Sequence, residues 1–519
     1  MPRLVHLLDR WIDIGIVVVL TFTPLAFGSV EPWAQSVGQA MIWTIFFAWL
    51  IKLAWTPELP KSRRPEKSYW GGRLRRTGLE LPALLFAIVL LLQLVPLPQK
   101  LINLVSPKTS EIFALSLPYY GQAGEGSFRN LPTWLQSDPN ATAGEVPALP
   151  ADASALDGAI PLEAFDEAYA SPRPLSLTPS DTARGLGVYL VHLALFMVVF
   201  HQLDRRKGAT RWGFLLAALV GLLAGIGILQ SLTSDGKLYW WRGGGPHHSF
   251  GPFVNANNFA GWMEMALPVV IGTTIALWVG TRRRGDRGPS GAAVLLSAFV
   301  SILGLTAFVL AMSRGGFLAL FGAAAIALLV LALRRRIRPG MVALALIPVV
   351  AALGLAAWID LEGLTERYGT LTDVQEERSF TTRLDFSKRA LTMASDFPVL
   401  GSGFGSFREA HYLYSPGTSN QELARAHNDY AQLAAECGFL GLFAMLWALW
   451  VVVRRGVGTG LLSRRNVAPY TLQGAAIGVI ALLLHSFVDF NLQIYSNSLL
   501  FVFLVALLMR AAADREAEA

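Results

Sequence analysis

Four short stretches of this chain hold side chains that could do chemistry. The first reads Trp240-Trp241-Arg242-Gly-Gly-Gly-Pro-His247-His248-Ser-Phe-Gly-Pro-Phe-Val-Asn255-Ala-Asn257-Asn258. Trp rings stack on sugars and Asn amides hydrogen-bond them, so Trp241, Arg242, Asn255 and Asn258 are candidate substrate contacts. An interfacial aromatic belt with a helix cap at Asn257 or Asn258 would use the same residue types. His247 and His248 make a poor metal pair, because adjacent residues seldom point at one ion and no carboxylate lies nearby. The second stretch, Ser313-Arg314-Gly315-Gly316, joins two apolar runs. A turn this short fixes Arg314 at a membrane boundary, and the two glycines let a ligand approach the backbone closely. Snorkelling to lipid headgroups is the other use of such an Arg.

The third stretch is Arg383-Leu-Asp385-Phe-Ser-Lys388-Arg389, followed by Asp396-Phe-Pro398-Val-Leu-Gly401-Ser-Gly403-Phe-Gly405-Ser-Phe407. Its basic residues sit on a short helix predicted to end near Pro398. The glycine run lacks a Walker lysine and joins no strand to a helix, so its local reading is a tight turn. The fourth is His427-Asn428, then nine residues, then Gly438-Phe-Leu-Gly441. His427 opens a helix at the outer surface and faces the third stretch. A lone His is usually structural. Two Arg-bearing segments beside this one, on a face otherwise poor in charge, favour a catalytic role.

The elements that must position these residues follow from composition. Hydrophobic residues make up 53% of the 519 residues and charged residues 15%, with mean hydropathy +0.45. Soluble domains carry about 25% charged residues, so disorder and an ordinary cytosolic enzyme are both excluded. The single cysteine, Cys437, forbids an intrachain disulfide and a Cys-based zinc site. A spanning helix needs about 20 mostly apolar residues. Twelve segments qualify, at 11–29, 37–55, 79–97, 184–203, 213–232, 258–280, 291–312, 316–333, 341–358, 428–453, 468–487 and 496–511. The expected fold is all-α and polytopic. The inner connections, with the chain ends and the helix ends beside them, hold 28 of the 43 Lys and Arg. Positive-inside bias therefore places both termini in the cytoplasm. The domain plan is helices 1–3 in 1–97, a mostly irregular outer loop at 98–183, helices 4–9 in 184–358, a polar outer loop at 359–427 and helices 10–12 in 428–519. Asp13, Glu80 and Glu264 are expected near span ends.

Taken together, His-Asn with its nine-residue spacer and Gly-x-x-Gly, Ser-Arg-Gly, and RLDFSKRALTMASDFPVLGSGFGSF resemble the bacterial O-antigen ligase and polymerase superfamily, over roughly residues 250–495. The closing His485-Ser-Phe-Val-Asp489-Phe-Asn491-Leu block resembles members found with exopolysaccharide systems. The resemblance implies a GT-C-like glycosyltransferase in the bacterial inner membrane. Such an enzyme takes a glycan from an undecaprenyl diphosphate carrier and joins it to a glycan or lipid A-core hydroxyl at the periplasmic face. On that footing Arg314 and Arg383 neutralise the departing diphosphate, supported by Lys388 and Arg389, and His427 is the general base. Asn428, His485 and Asp489 join Trp241, Arg242, Asn255 and Asn258 as substrate contacts. No cofactor, no metal and no nucleic-acid partner is expected, and one-step displacement inverts the anomeric centre. A transporter or flippase for lipid-linked saccharides is the alternative. It too would want outward arginines, but it needs polar groups lining a path through nearly uncharged spans.

The basic-residue partition predicts that residues 56–78 are cytoplasmic and that 98–183 and 359–427 are periplasmic. With Cys437 replaced, Pro150→Cys should react with an impermeant thiol reagent in intact cells, and Pro65→Cys should not. The opposite pattern inverts the topology.

Overall fold

A computed structural model of the chain describes residues 2–56, 68–69, 74–116, 172–203, 208–243, 249–284, 290–334, 374–414, 425–462 and 469–518. In hydrocarbon every backbone N–H and C=O must be bonded within its own segment, and the long apolar runs accordingly form helices. The amino-terminal part holds α1 (Pro2–Leu25), α2 (Pro32–Trp55), α3 (Glu80–Leu94), α4 (Gln99–Val105) and α5 (Pro107–Ser116). The middle holds α6 (Pro179–Gln202), α7 (Gly208–Thr233), α8 (Ala256–Arg284), α9 (Gly291–Leu310) and α10 (Arg314–Leu333). Then come α11 (Val374–Asp396), the single turn α12 (Phe407–Ala410), and α13 (Asp429–Val451). A π-helical turn, Val452–Val457, carries α13 into α14 (Gly458–Leu462), followed by α15 (Pro469–His485) and α16 (Tyr495–Glu516). Among the described residues the only strands are two antiparallel pairs of two residues each, Ser68–Tyr69 with Leu74–Arg75 and Pro96–Leu97 with Arg173–Pro174.

Among the described residues, eight helices are long and apolar enough to cross a membrane: α2, α6, α7, α8, α9, α10, α13 with its continuation, and α16. Helices α3 and α15 are apolar but shorter. Helix α1 covers the first predicted segment, and 341–358 lies outside the described residues. The loop expected to be mostly irregular opens instead on α4 and α5. Pro107 sits where a first turn tolerates it, and Ser106 and Thr109 share a hydroxyl hydrogen bond at 2.7 Å across the junction. Residues 117–171 lie outside the described set.

Two sets of polar contacts mark the two ends of the bundle. At one end Lys52 pairs with Asp9, Arg211 with Asp13 (2.6 Å), Arg75 with Asp514 (2.6 Å) and Arg455 with Glu516 (3.0 Å). This end gathers the start of α1 and the finish of α16. The starts of α8, α10, α13 and α16 lie at the other. Between the ends, α8 and α15 pack with backbones nearly touching: a Cβ at Gly474 or Gly478 would stand 2.0 or 2.4 Å from the carbonyl oxygens of Pro268 and Met265. Small residues permit such approach where lipid offers no hydrophobic drive between helices.

The third and fourth stretches interlock. Helix α13 breaks at Gly438 (φ 61°, ψ −167°), a conformation open essentially to glycine alone. The break frees the amides of Phe439 and Leu440, which donate instead to the carbonyls of Pro398 (2.7 Å) and Val399 (3.3 Å). In return the amides of Ser402 and Gly403 donate to the carbonyls of Ala435 and Glu436. The Glu436 carboxylate accepts from the amides of Gly405 and Phe407, and Gln93 of α3 donates to the carbonyls of Leu400 and Glu436. The glycine run is thus a turn threaded into a helix break, as its local sequence suggests. A Cβ at Gly438 would also lie 2.5 Å from Val399 carbonyl atoms. Gly438→Ala should therefore cost about 1–3 kcal/mol or more, read as a lower thermal unfolding midpoint in detergent. An unchanged midpoint would show that the loop is not held by the break.

Candidate active site

The turn between α15 and α16 is the anchor of the site. The Asp429 amide donates to the Ser486 carbonyl (2.9 Å), and the Asp429 carboxylate accepts from the Leu492 amide (3.1 Å) and the Gln493 side chain (2.8 Å). This clamps the turn to the first residue of α13. Asp489, in the middle of the turn, is 1% exposed. Its Oδ1 lies 3.6 Å from His427 Nδ1 and its Oδ2 lies 3.6 Å from an Arg383 guanidinium nitrogen. Burial opposes ionisation of Asp489. The facing His427 and the charges of Arg383 and His485 outweigh it and hold the carboxyl at about 2. It is therefore a carboxylate at neutral pH, with only lone pairs to offer. A separation of 3.6 Å is ion pairing rather than hydrogen bonding, and neither His427 Nδ1 nor Asp489 Oδ2 has a hydrogen-bond partner. Arg383 also donates to the Val488 carbonyl (3.2 Å).

His427 itself is tightly placed. Its ring stacks on Phe386 of α11 (centroids 6.1 Å) and meets Phe490 edge-on (4.9 Å). Its backbone is left-handed, with φ 51°, uncommon outside glycine. The next residue explains the bend: Asn428 is the N-cap of α13, its Oδ1 accepting from the amides of Tyr430 and Ala431. Left-handed residues imposed by their surroundings concentrate at functional sites.

Arg314 arrives from a third direction. Ser313 caps α10 by accepting from the Gly316 amide (3.2 Å), so Arg314 begins the helix and is exposed. Gly315 rests against His485: a Cβ there would stand 2.7 Å from His485 Nε2. His485 is fully buried, and its Nδ1 lies 3.0 and 3.1 Å from the carboxylate oxygens of Glu264, with the Asn491 amide 3.2 Å away. Glu264 is fully buried two turns into α8, not near a span end as its position in the sequence suggested. His485 and Asp489 are one helical turn apart, since the Asp489 amide donates to the His485 carbonyl.

The other predicted residues divide. Lys388 is exposed and 3.8 Å from Asp385, and Arg389 lies over the Phe386 ring that backs His427. Both line the rim. Asn428 spends its side-chain oxygen on the helix start. Asn255, rather than Asn257 or Asn258, caps α8: its side chain accepts from the Asn257 amide and its carbonyl from those of Asn258 and Phe259. Asn258 is buried, its carbonyl accepting from Asn497 (2.9 Å). Arg242 pairs with Glu31 (2.5 Å) over the Phe27 ring, and Trp241 meets the same ring. Their described partners lie on the α1–α2 turn, not on the Asp489 turn. His247 and His248 fall outside the described residues. Residues missed from sequence are Asp429, Glu264, Phe386 and Phe490. An ionisable residue within a span is the one signal that would have found Glu264. Among the described residues no group of three or more His, Cys, Asp or Glu is set to hold a metal ion.

Over residues 299–446 the chain matches the family model described as O-antigen ligase, which supports membership of that superfamily. The matched stretch contains Arg314, Arg383 and His427 and stops short of His485 and Asp489. With eight helices among the described residues apolar and long enough to span, this is a multi-pass membrane protein. No curated protein matches the chain.

The left-handed backbone at position 427 separates folding from chemistry. A β-carbon there costs about 1–2 kcal/mol that glycine avoids, so His427→Gly should unfold at a temperature no lower than His427→Ala in detergent. Both should lose transfer. A clearly lower midpoint for the Gly variant would mean that position 427 is not held left-handed.

Proposed function

We propose that this member of the O-antigen ligase superfamily is a glycosyltransferase. It takes a glycan from an undecaprenyl diphosphate carrier and joins it to an acceptor hydroxyl, of lipid A-core or of a growing polysaccharide, at the periplasmic face of the bacterial inner membrane. The observation that carries the reading is convergence. The turn bearing Arg314, the helix bearing Arg383 and the helix start bearing His427 all meet the His485–Asp489 turn. On this reading the chain crosses the membrane twelve times in a GT-C-like arrangement with both ends cytoplasmic. Asp9 near the start of α1 and Arg510 near the finish of α16 both bond to the end of α6, at Gln202 and Phe200 and away from the site, which agrees with it.

Two guanidinium groups can pair with phosphate oxygens in forked geometry and stay charged at any working pH. Arg314 and Arg383 take that role, with Lys388 and Arg389 at the rim. With Asp489 facing Nδ1 of His427, Nε2 is the nitrogen left for substrate. The acceptor oxygen attacks the anomeric carbon while its proton passes to Nε2. The bond from that carbon to the diphosphate oxygen breaks, and its electrons leave with the diphosphate. Asp489 stabilises the imidazolium so formed. A single displacement inverts the anomeric centre. The diphosphate leaves without a general acid, and the arginines stand where other transferases place a divalent ion.

Purified protein in nanodiscs, given lipid-linked donor and acceptor, tests the roles. Transfer should survive excess EDTA. Arg314→Ala and Arg383→Ala should each lose about 1.5–3 kcal/mol, split between donor binding and turnover because leaving-group charge grows in the transition state. Lys should rescue only in part. His427→Ala should slow transfer by about 10²–10⁴ and leave donor binding nearly intact. Product at near the original rate from His427→Ala would remove the base. Donor crossing the bilayer with no bond formed would replace the transferase by a transporter.

A further inference from the structure

One imidazole in the wall of the site has no part in the transfer step just described. His485 closes α15, is fully buried, and holds its Nδ1 against both carboxylate oxygens of the equally buried Glu264. A carboxylate only accepts, so Nδ1 carries a proton. Across the ring, Nε2 has no hydrogen-bond partner. It faces the first turn of α10, where the missing Cβ of Gly315 would stand 2.7 Å away. That turn belongs to a 20-residue helix, whose first amides point outward without intrahelical partners and whose dipole is positive at this end. The Ser313 hydroxyl takes the amide of Gly316.

We propose that His485, kept as an imidazolium by the facing Glu264 carboxylate, forms with the first-turn amides of α10 a phosphate-oxygen subsite beside Arg314. Oriented N–H donors at a helix start complement an oxyanion, and an imidazolium donates from both nitrogens. A buried nitrogen left without a partner is unfavourable until a ligand atom completes it. Asp489, one turn along, is engaged by Arg383 and His427, so its charge is met on its own side. Glycine at 315 is required because any side chain would fill the space between Nε2 and the turn. The subsite rests on the diphosphate reading given under Proposed function. It deepens that reading by assigning the inner phosphate oxygens to His485 and the α10 turn, and the outer ones to Arg383.

Binding of undecaprenyl diphosphate to the full-length protein in detergent, followed by native mass spectrometry, tests this with His485→Phe, His485→Gln, Gly315→Ala and Arg314→Ala. Thermal unfolding checks that each variant is folded. His485→Phe and Gly315→Ala should each weaken binding about tenfold or more, the loss of a hydrogen bond to a charged group. His485→Gln should recover part of that loss through its amide donor. If His485→Phe does not fold, Gly315→Ala decides, because it removes no polar group. Wild-type affinity in folded His485→Phe or Gly315→Ala overturns the subsite. If Arg314→Ala still weakens binding in that case, the transferase reading stands without it. Absence of binding by the wild-type protein would overturn both. Phosphatidylglycerol added at equal concentration should not compete. Competition that disappears in His485→Phe would assign the subsite to a bilayer headgroup and overturn its assignment to the donor.

Discussion

One buried negative charge organises the end of this protein where Arg383, His427 and the α15–α16 turn meet. Asp489 sits at 1% exposure with Arg383 and His427 each 3.6 Å from its carboxylate. A carboxylate taken out of water is costly unless charges of opposite sign face it. The turn can therefore persist only if α11 and the start of α13 deliver their basic groups to it. Arg383 and His427 lie 44 positions apart in the chain (427 minus 383), and the carboxylate is what makes them neighbours. The charge on Asp489 is also where an imidazolium formed during proton transfer would find its partner.

The rest of the architecture keeps that meeting in place. Asp429 ties the Asp489 turn to α13, and the Ser387 hydroxyl donates to the Ala426 carbonyl, linking α11 to the residue before His427. The break at Gly438 docks the loop that follows α11 into α13, so both basic groups ride on one interlocked unit. A small core of Ala390, Met393, Phe397, Phe407, Ala431 and Ala435 fills the space between them. Beneath, the contact of α8 with α15 sets the depth at which Glu264 meets His485. Each layer is built from close approach of backbones rather than bulk. Such packing is stiff, which suits a site whose groups must be held before substrate arrives.

Much of this was legible in the amino-acid sequence. Long apolar runs fix helices because hydrocarbon leaves the backbone no other partner. Arg314 was readable because its turn is too short to place it elsewhere, and His427 because Asn428 follows it at a helix start. What sequence could not supply was pairing across the fold. Nothing near Glu264 announces His485, 221 residues away, nor does His427 announce Phe490. Asn428 and Asn255 read by type as substrate contacts, and the hydrogen bonds show both to be helix caps instead. Trp241 and Arg242 look like site residues by type, but Glu31 and Phe27 hold them to the α1–α2 turn. Helices α4 and α5 escaped notice because a polar, Pro-containing segment offers no apolar run to mark them.

The central claim is that Asp489 and His427 act as one unit. A double-mutant cycle on single-turnover glycan transfer, with Asp489→Asn, His427→Ala and the pair together, measures this directly. Residues that act as a unit lose their effects non-additively. The double variant should be no slower than His427→Ala alone, although Asp489→Asn by itself slows transfer severely. If the two losses multiply in the double variant, Asp489 does not work through His427, and the organising role given to it here is wrong.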